Sequence, residues 1–155
     1  MGSCSKTQLA YIAGFLDGDG SLMIQIKKRS ESGKPRFMLT ICMYQDTRHE
    51  KPLLWMKKKL EIGYISRRKD NITELRVNGY NQVERILKLL CPFIRFKKIQ
   101  AKTILESAKI LKKKKLSEKD YRKLVNNILI VQSENYVTKR KRSKKELLSV
   151  LGLTP

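Results

Sequence analysis

The chain has 155 residues, 41% of them hydrophobic, enough for one compact domain with its own core. Its 35 Lys and Arg against 14 Asp and Glu give a formal net charge of +21, a self-repulsion that a polyanionic partner relieves. The sequence carries no apolar run of roughly 18 residues, no secretory leader and no basic amphipathic anchor, so a membrane role is not expected; Cys4, Cys42 and Cys91, odd in number and far apart, make neither a disulfide framework nor a zinc site and fit a reducing, intracellular setting.

In chain order, Ser5-Lys6-Thr7-Gln8 reads as a capping box opening a helix that runs to about Leu16. Leu9, Ile12, Ala13 and Leu16 follow the helical repeat, Tyr11 and Phe15 form a second apolar face, and Ala10 and Gly14 a third made of small residues. A helix apolar all round is buried on more than one side. Gly14 costs roughly 1 kcal/mol against alanine there, so close approach by another element is its motive. The helix leads into Asp17-Gly18-Asp19-Gly20. Carboxylates flanked by glycines at a helix end suit a hard cation such as Mg2+ or Ca2+. Taken alone, the same residues are equally well a helix stop and turn.

Residues 21–29 alternate, with Leu22, Ile24 and Ile26 on one side. A turn at 30–35 leads to a second alternating run at 36–44, with Phe37, Leu39, Ile41 and Met43 inward. A helix from about 49 to 61 places Leu53, Met56 and Leu60 inward, its start blurred by Pro52. Residues 64–68 and 73–78 form a shorter hairpin turning at Asp70-Asn71, and Val83, Ile86, Leu87 and Leu90 mark a helix ended by Pro92. The pattern is thus αββαββα: a ββα unit stated twice behind a leading helix. Further helices follow, one on Ala101, Ile104, Leu105, Ala108 and Leu111, one capped by Ser117, and a short one boxed by Ser143 and Glu146. The fold class is α+β, a single domain over 1–155 with its core at about 5–132 and a basic C-terminal segment and short helix at 133–155.

Ala13-Gly14-Phe15-Leu16-Asp17-Gly18-Asp19-Gly20 resembles the signature of the LAGLIDADG homing endonucleases, and the element order is theirs as well. Two more islands, Tyr44-Gln45-Asp46-Thr47 and the stretch from Pro92 to Ala101, are similar to the single-motif, homodimeric branch known from organellar introns. The resemblance spans about residues 7–131. It implies an antiparallel sheet forming a DNA-binding saddle. It further implies metal-dependent cleavage across the minor groove to leave short 3' overhangs, in the service of intron mobility. Asp19 would be the metal ligand at the scissile phosphate, Gly18 would lend a backbone carbonyl, and Gln45 and Lys97 would organise water and stabilise charge around the metal. His49 stands where relatives carry a basic residue. For each of the last three an ordinary polar or solvated residue is the competing reading.

The motif occurs once, so cutting two strands needs two chains about a twofold axis. Ala10, Ala13, Gly14 and Asp17 are the expected seam. Oxygen ligands and the lack of a Cys/His cluster favour Mg2+, with Mn2+ substituting and Ca2+ supporting binding without cleavage; no small-molecule cofactor is expected. A β-ribbon fits the major groove, where base edges are uniquely coded. Gln25, Lys27, Arg29, Arg36, Thr40 and Tyr44 project from the first hairpin and Tyr64, Ser66, Arg68 and Arg76 from the second, while Met38 and Cys42 are placed for thymine methyls. Glu74 is the acidic outlier on this face, and the lysine-rich runs at 112–115 and 139–145 suit phosphates. The expected partner is therefore double-stranded DNA, bound by a homodimer with no membrane involved. The rivals are an RNA-splicing maturase or a cleavage-inactive DNA-binding protein on the same scaffold, and a basic nucleoid or ribosome-associated protein. The Lys- and Ile-rich composition is compatible with a chloroplast or mitochondrial gene, or with an archaeal one.

Overall fold

A computed structural model of the chain describes residues 4–28, 33–135 and 141–155. The first helix, α1 (Lys6–Asp19), begins in the expected capping box: Ser5 Oγ accepts from the Gln8 N–H and the Gln8 side chain accepts from the Ser5 N–H. It does not stop near Leu16. The helix runs through the aspartates, and the chain passes without a loop into β1 (Gly20–Lys27). Gly20 makes that transition possible, because a Cβ there would lie 2.7 Å from the Leu16 carbonyl oxygen.

The strand β2 (Arg36–Asp46) is followed by a 3-10 turn (Thr47–His49) and by α2 (Lys51–Leu60). Pro52 sits in the first turn of α2, where its missing N–H has no helical partner to lose, so it marks the helix start. Next come β3 (Tyr64–Arg67), β4 (Ile72–Asn78) and α3 (Tyr80–Leu90). The remaining helices are α4 (Lys98–Leu111), α5 (Glu118–Glu134) and α6 (Lys144–Val150). The boxes expected at Ser117 and Ser143 are both formed.

The two hairpins are halves of one antiparallel sheet in the order β1-β2-β4-β3, with Met43 opposite Leu75 where they join. One face carries Leu22, Ile24, Leu39, Ile41, Met43, Leu75 and Val77, all buried against the helical layer. Ile12, Leu16, Met56, Leu87 and Ile104 are among the side chains they meet in that core. On the opposite face Gln25, Lys27 and Arg36 are exposed. Among the described residues no helix is long and apolar enough to cross a membrane.

Candidate nucleic-acid cleavage site

Four segments far apart in sequence converge on one cleft of about 790 Å³ at the end of the sheet: the C-terminus of α1, the end of β2, the start of α4 and the end of α5. Asp19, Gln45 and Lys97 all line it, together with Gly18, Tyr44, Asp46, Gln100, Glu134 and Asn135. Asp19 is exposed at the last turn of α1, where helix carbonyls lack intrahelical partners.

Asp17 helps to build the cleft. Its carboxylate accepts the backbone N–H groups of Arg95, Phe96 and Lys97 at 2.6, 3.3 and 3.0 Å. In return Lys97 Nζ donates to the Asp17 carbonyl oxygen at 2.5 Å. The loop before α4 is thus clamped to α1, and this clamp sets where Lys97 stands. Burial lowers the Lys97 pKa below the ordinary lysine value, with Asp17 and Asp19 pulling the other way. Gln45 Oε1 accepts from the Asp46 N–H at 2.9 Å, which leaves both N–H groups of its amide to donate elsewhere. Asp46 in turn caps the 3-10 turn and holds Arg48; that guanidinium first, then the Arg48 backbone N–H, keep the Asp46 carboxyl at about 2. His49 is exposed on that turn and is not among the cleft-lining residues.

The donor set fits a hard divalent cation. Asp19 and the neighbouring Gly18 carbonyl are oxygen donors, and no thiol or imidazole lines the cleft. Among the described residues no group of three or more His, Cys, Asp or Glu side chains is placed to hold a metal ion. Water, phosphate and a second chain are the chemically suitable complements.

The outer sheet face differs from the expectation at several positions. Gln25, Lys27 and Arg36 are exposed, Met38, Tyr44 and Ser66 half-buried, and Tyr64 is 47% exposed. Arg29 lies outside the described residues, as do Lys139 and Arg140. Cys42 and Thr40 are buried and cannot meet a base as they stand. Cys42 lies in a central strand between Ser21 and Arg76, its thiol hydrogen-bonded with Tyr44. Thr40 Oγ1 donates to Asn78 Oδ1 at 2.8 Å, and Asn78 Nδ2 donates to the Tyr64 hydroxyl at 3.0 Å. Burial, and then the Cys42 contact, push the Tyr44 hydroxyl up to about 12, while it shares a 2.9 Å hydrogen bond with Ser21.

Glu74 is the residue that sequence reasoning undervalued. It is 4% exposed and binds both expected readers: Arg68 Nη1 donates to Oε1 at 3.2 Å and Arg76 Nε to Oε2 at 2.6 Å. Arg68 also reaches Asp70 at 2.5 Å. The register signal existed, since Glu74 sits opposite both Tyr44 and Ser66, but it depends on strand pairing. Ala13 is a second correction. It is wholly buried in this chain's own core, although Ala10, one turn earlier, and the adjacent Gly14 are exposed, and it has no surface to give a seam.

A family model described as LAGLIDADG endonuclease matches residues 12–112, the span that holds the motif helix, both hairpins and Lys97. The chain belongs to the LAGLIDADG endonuclease family. It is 31% identical over 107 residues to DNA endonuclease I-CvuI of Chlorella vulgaris, covering 68% of this chain and 66% of the relative. It is likewise 31% identical over 103 residues to DNA endonuclease I-CreI of Chlamydomonas reinhardtii, covering 66% of this chain and 63% of the relative. These alignments span just under two thirds of the relatives' length. In structure, the homing endonuclease I-CvuI in complex with its target in the presence of Ca superposes with a TM-score of 0.80 at 26% identity, covering 97% of this chain and 98% of that one. The archaeal intron-encoded homing endonuclease I-Vdi141I complexed with DNA gives 0.81 at 23% identity, covering 94% and 95%, and establishes the shared fold.

Proposed function

We propose that the protein is a site-specific DNA endonuclease that makes a divalent-metal-dependent double-strand break as a homodimer on a long, nearly palindromic duplex site. The observation that carries this is the convergence of Asp19, Gln45 and Lys97 in one cleft, at the end of a sheet whose outer face bears Lys27, Arg36, Arg68 and Arg76. A protein that only binds nucleic acid, or assists splicing, needs none of the three brought together. Intron homing and an organellar host are carried by the kinship with single-motif homing endonucleases.

Asp19 and the Gly18 carbonyl would hold Mg2+, with Mn2+ able to replace it and Ca2+ to support binding alone; bound there, such an ion would supply water activation and charge neutralisation at the phosphate. The Lys97 backbone is fixed by the Asp17 carboxylate, and its ammonium donates to a phosphate oxygen as negative charge develops. The Gln45 NH2 group, freed by the bond its oxygen makes to Asp46, holds a water by donation.

The dimer reading is supported by α1. A Cβ on Gly14 or Gly18 would meet nothing within 4 Å, so this chain alone gives no reason for glycine at either position. Beside them lies an apolar surface of Tyr11, 55% exposed, packed edge-on against Trp55. A second α1 crossing there covers both and brings two Asp19 carboxylates close to one axis.

The test is cleavage of a randomised duplex library in Mg2+, followed by sequencing of the cut ends. Asp19→Asn is expected to abolish cutting while binding in Ca2+ stays close to wild type. Equal loss of binding and cutting would contradict a catalytic role for this carboxylate.

A further inference from the structure

Gln100 lies within the third motif island, yet the cleavage scheme gives it no task. It is the third residue of α4, and Lys97 is the N-cap of the same helix. In a capping box the side chain at that third position returns to the N-cap backbone N–H. Here that N–H is already taken by Asp17, reaching across from α1 at 3.0 Å. The Gln100 amide is displaced as a result. Its Nε2 donates to the Glu134 carbonyl at the end of α5, at 3.4 Å, and its Oε1 is buried without a donor although the residue lines the cleft. Flipping the amide would set oxygen against the Glu134 carbonyl, so the orientation is fixed. Gln100 is 4% exposed, and a buried acceptor left open in this way calls for an explanation. A donor with spare capacity stands at the N-cap of the same turn: the Lys97 ammonium has three N–H groups, of which one goes to the Asp17 carbonyl.

We propose that Gln100 is a positioning residue for Lys97: its open amide oxygen receives the Lys97 ammonium when DNA draws that ammonium off the Asp17 carbonyl. The charge is then held at the cleft floor beside the phosphate instead of following the DNA outward. Gln100 touches no reacting atom in this scheme. The same amide ties the end of α5 to the start of α4 through its donor, so donor and acceptor have separable duties. This inference rests on the endonuclease reading, and on Lys97 as the group that meets developing charge.

The duplex that wild-type protein retains from a randomised library in Ca2+ serves as probe, and single-turnover cleavage in Mg2+ is followed alongside binding and thermal melting. Gln100→Met keeps the volume and loses both polar groups. Its cleavage is expected to fall by about tenfold to a hundredfold at unchanged binding. Gln100→Glu keeps an acceptor but sets a second oxygen against the Glu134 carbonyl, so it is expected to melt lower than wild type and still cut within roughly threefold of it. A purely structural amide gives a different pattern, in which both variants lose the bond to the Glu134 carbonyl, melt lower together and cut equally poorly. Gln100→Met cutting at the wild-type rate, or Gln100→Glu falling as far as Gln100→Met, overturns the proposal. Should the methionine variant not fold, the glutamate variant decides alone, wild-type-like cutting supporting and loss overturning. A wild type that binds the probe and never cuts it sinks the endonuclease reading first, and this proposal with it.

Discussion

At the centre of a face otherwise rich in cations sits a buried carboxylate, and it decides how two arginines present themselves. Glu74 spends both oxygens on Arg68 and Arg76, whose side chains remain 48% and 29% exposed. Arg76, held through Nε, keeps its two terminal nitrogens for a base in a fixed direction, at lower entropic cost than a free side chain, whereas Arg68 is held through Nη1 by Glu74 and through Nη2 by Asp70. Glu74→Gln is expected to destabilise the chain by about 1–3 kcal/mol, because charge-assisted bonds are lost while both arginines can still reach water. It is also expected to relax base preference at the half-site positions they read. Melting curves and selection from a randomised half-site check the two effects. An unchanged preference at every position would mark both arginines as phosphate contacts.

Among the elements, α1 carries the largest share of the function. One side is core, its last turn presents Asp19, and its outer side is open at Ala10, Gly14 and Gly18. Gly14→Leu therefore separates folding from association. The isolated chain gains helix propensity of roughly 1 kcal/mol at a position where a Cβ meets nothing within 4 Å, whereas two copies could no longer approach closely at that point. Sedimentation should report a monomer whose melting is not lowered; a persisting dimer would place the seam elsewhere. The α5 start is a second element-scale case. The Lys113 ammonium first, then the Ser117 N–H, hold the Asp120 carboxyl at about 2, against 3.8 ordinarily. A carboxyl depressed in the fold stabilises above its unfolded value, and that contribution is lost as pH falls from about 4 towards 2. Melting between pH 5 and 2 should be flatter for Asp120→Asn than for wild type (a window of about three units around the two values).

For the whole molecule the governing quantity is charge. On the proposed reading, a net +21 per chain, doubled in a dimer, would make phosphate neutralisation and counterion release the main source of affinity. If a dimer neutralises roughly 6–10 phosphates, binding should weaken by about 10³–10⁵ between 50 and 200 mM salt. Fluorescence anisotropy over that range measures the slope, and a nearly flat response would mean that the saddle is not the docking surface. Cutting itself should respond less steeply once the complex is saturated, since the cleft groups act on a phosphate already bound.

Much of this protein is written locally. The capping boxes at Ser5, Ser117 and Ser143, the alternation of Leu22, Ile24 and Ile26, and the motif helix are all contacts or periods within four residues, and all are formed. The meeting of Asp19, Gln45 and Lys97 was legible too, through kinship of three islands. Only tertiary structure decided which polar side chains are free. Cys42 and Thr40 disappear and Glu74 captures two arginines because β2 pairs with β4 in one register out of several that alternation allows. Asp17 finds its partners 78 and more residues away, and Ala13 goes inward while Ala10 stays out, through a helix azimuth set by what packs beneath it. Short-range periodicity fixes which face a residue is on; long-range pairing, which no local pattern encodes, fixes what that face meets.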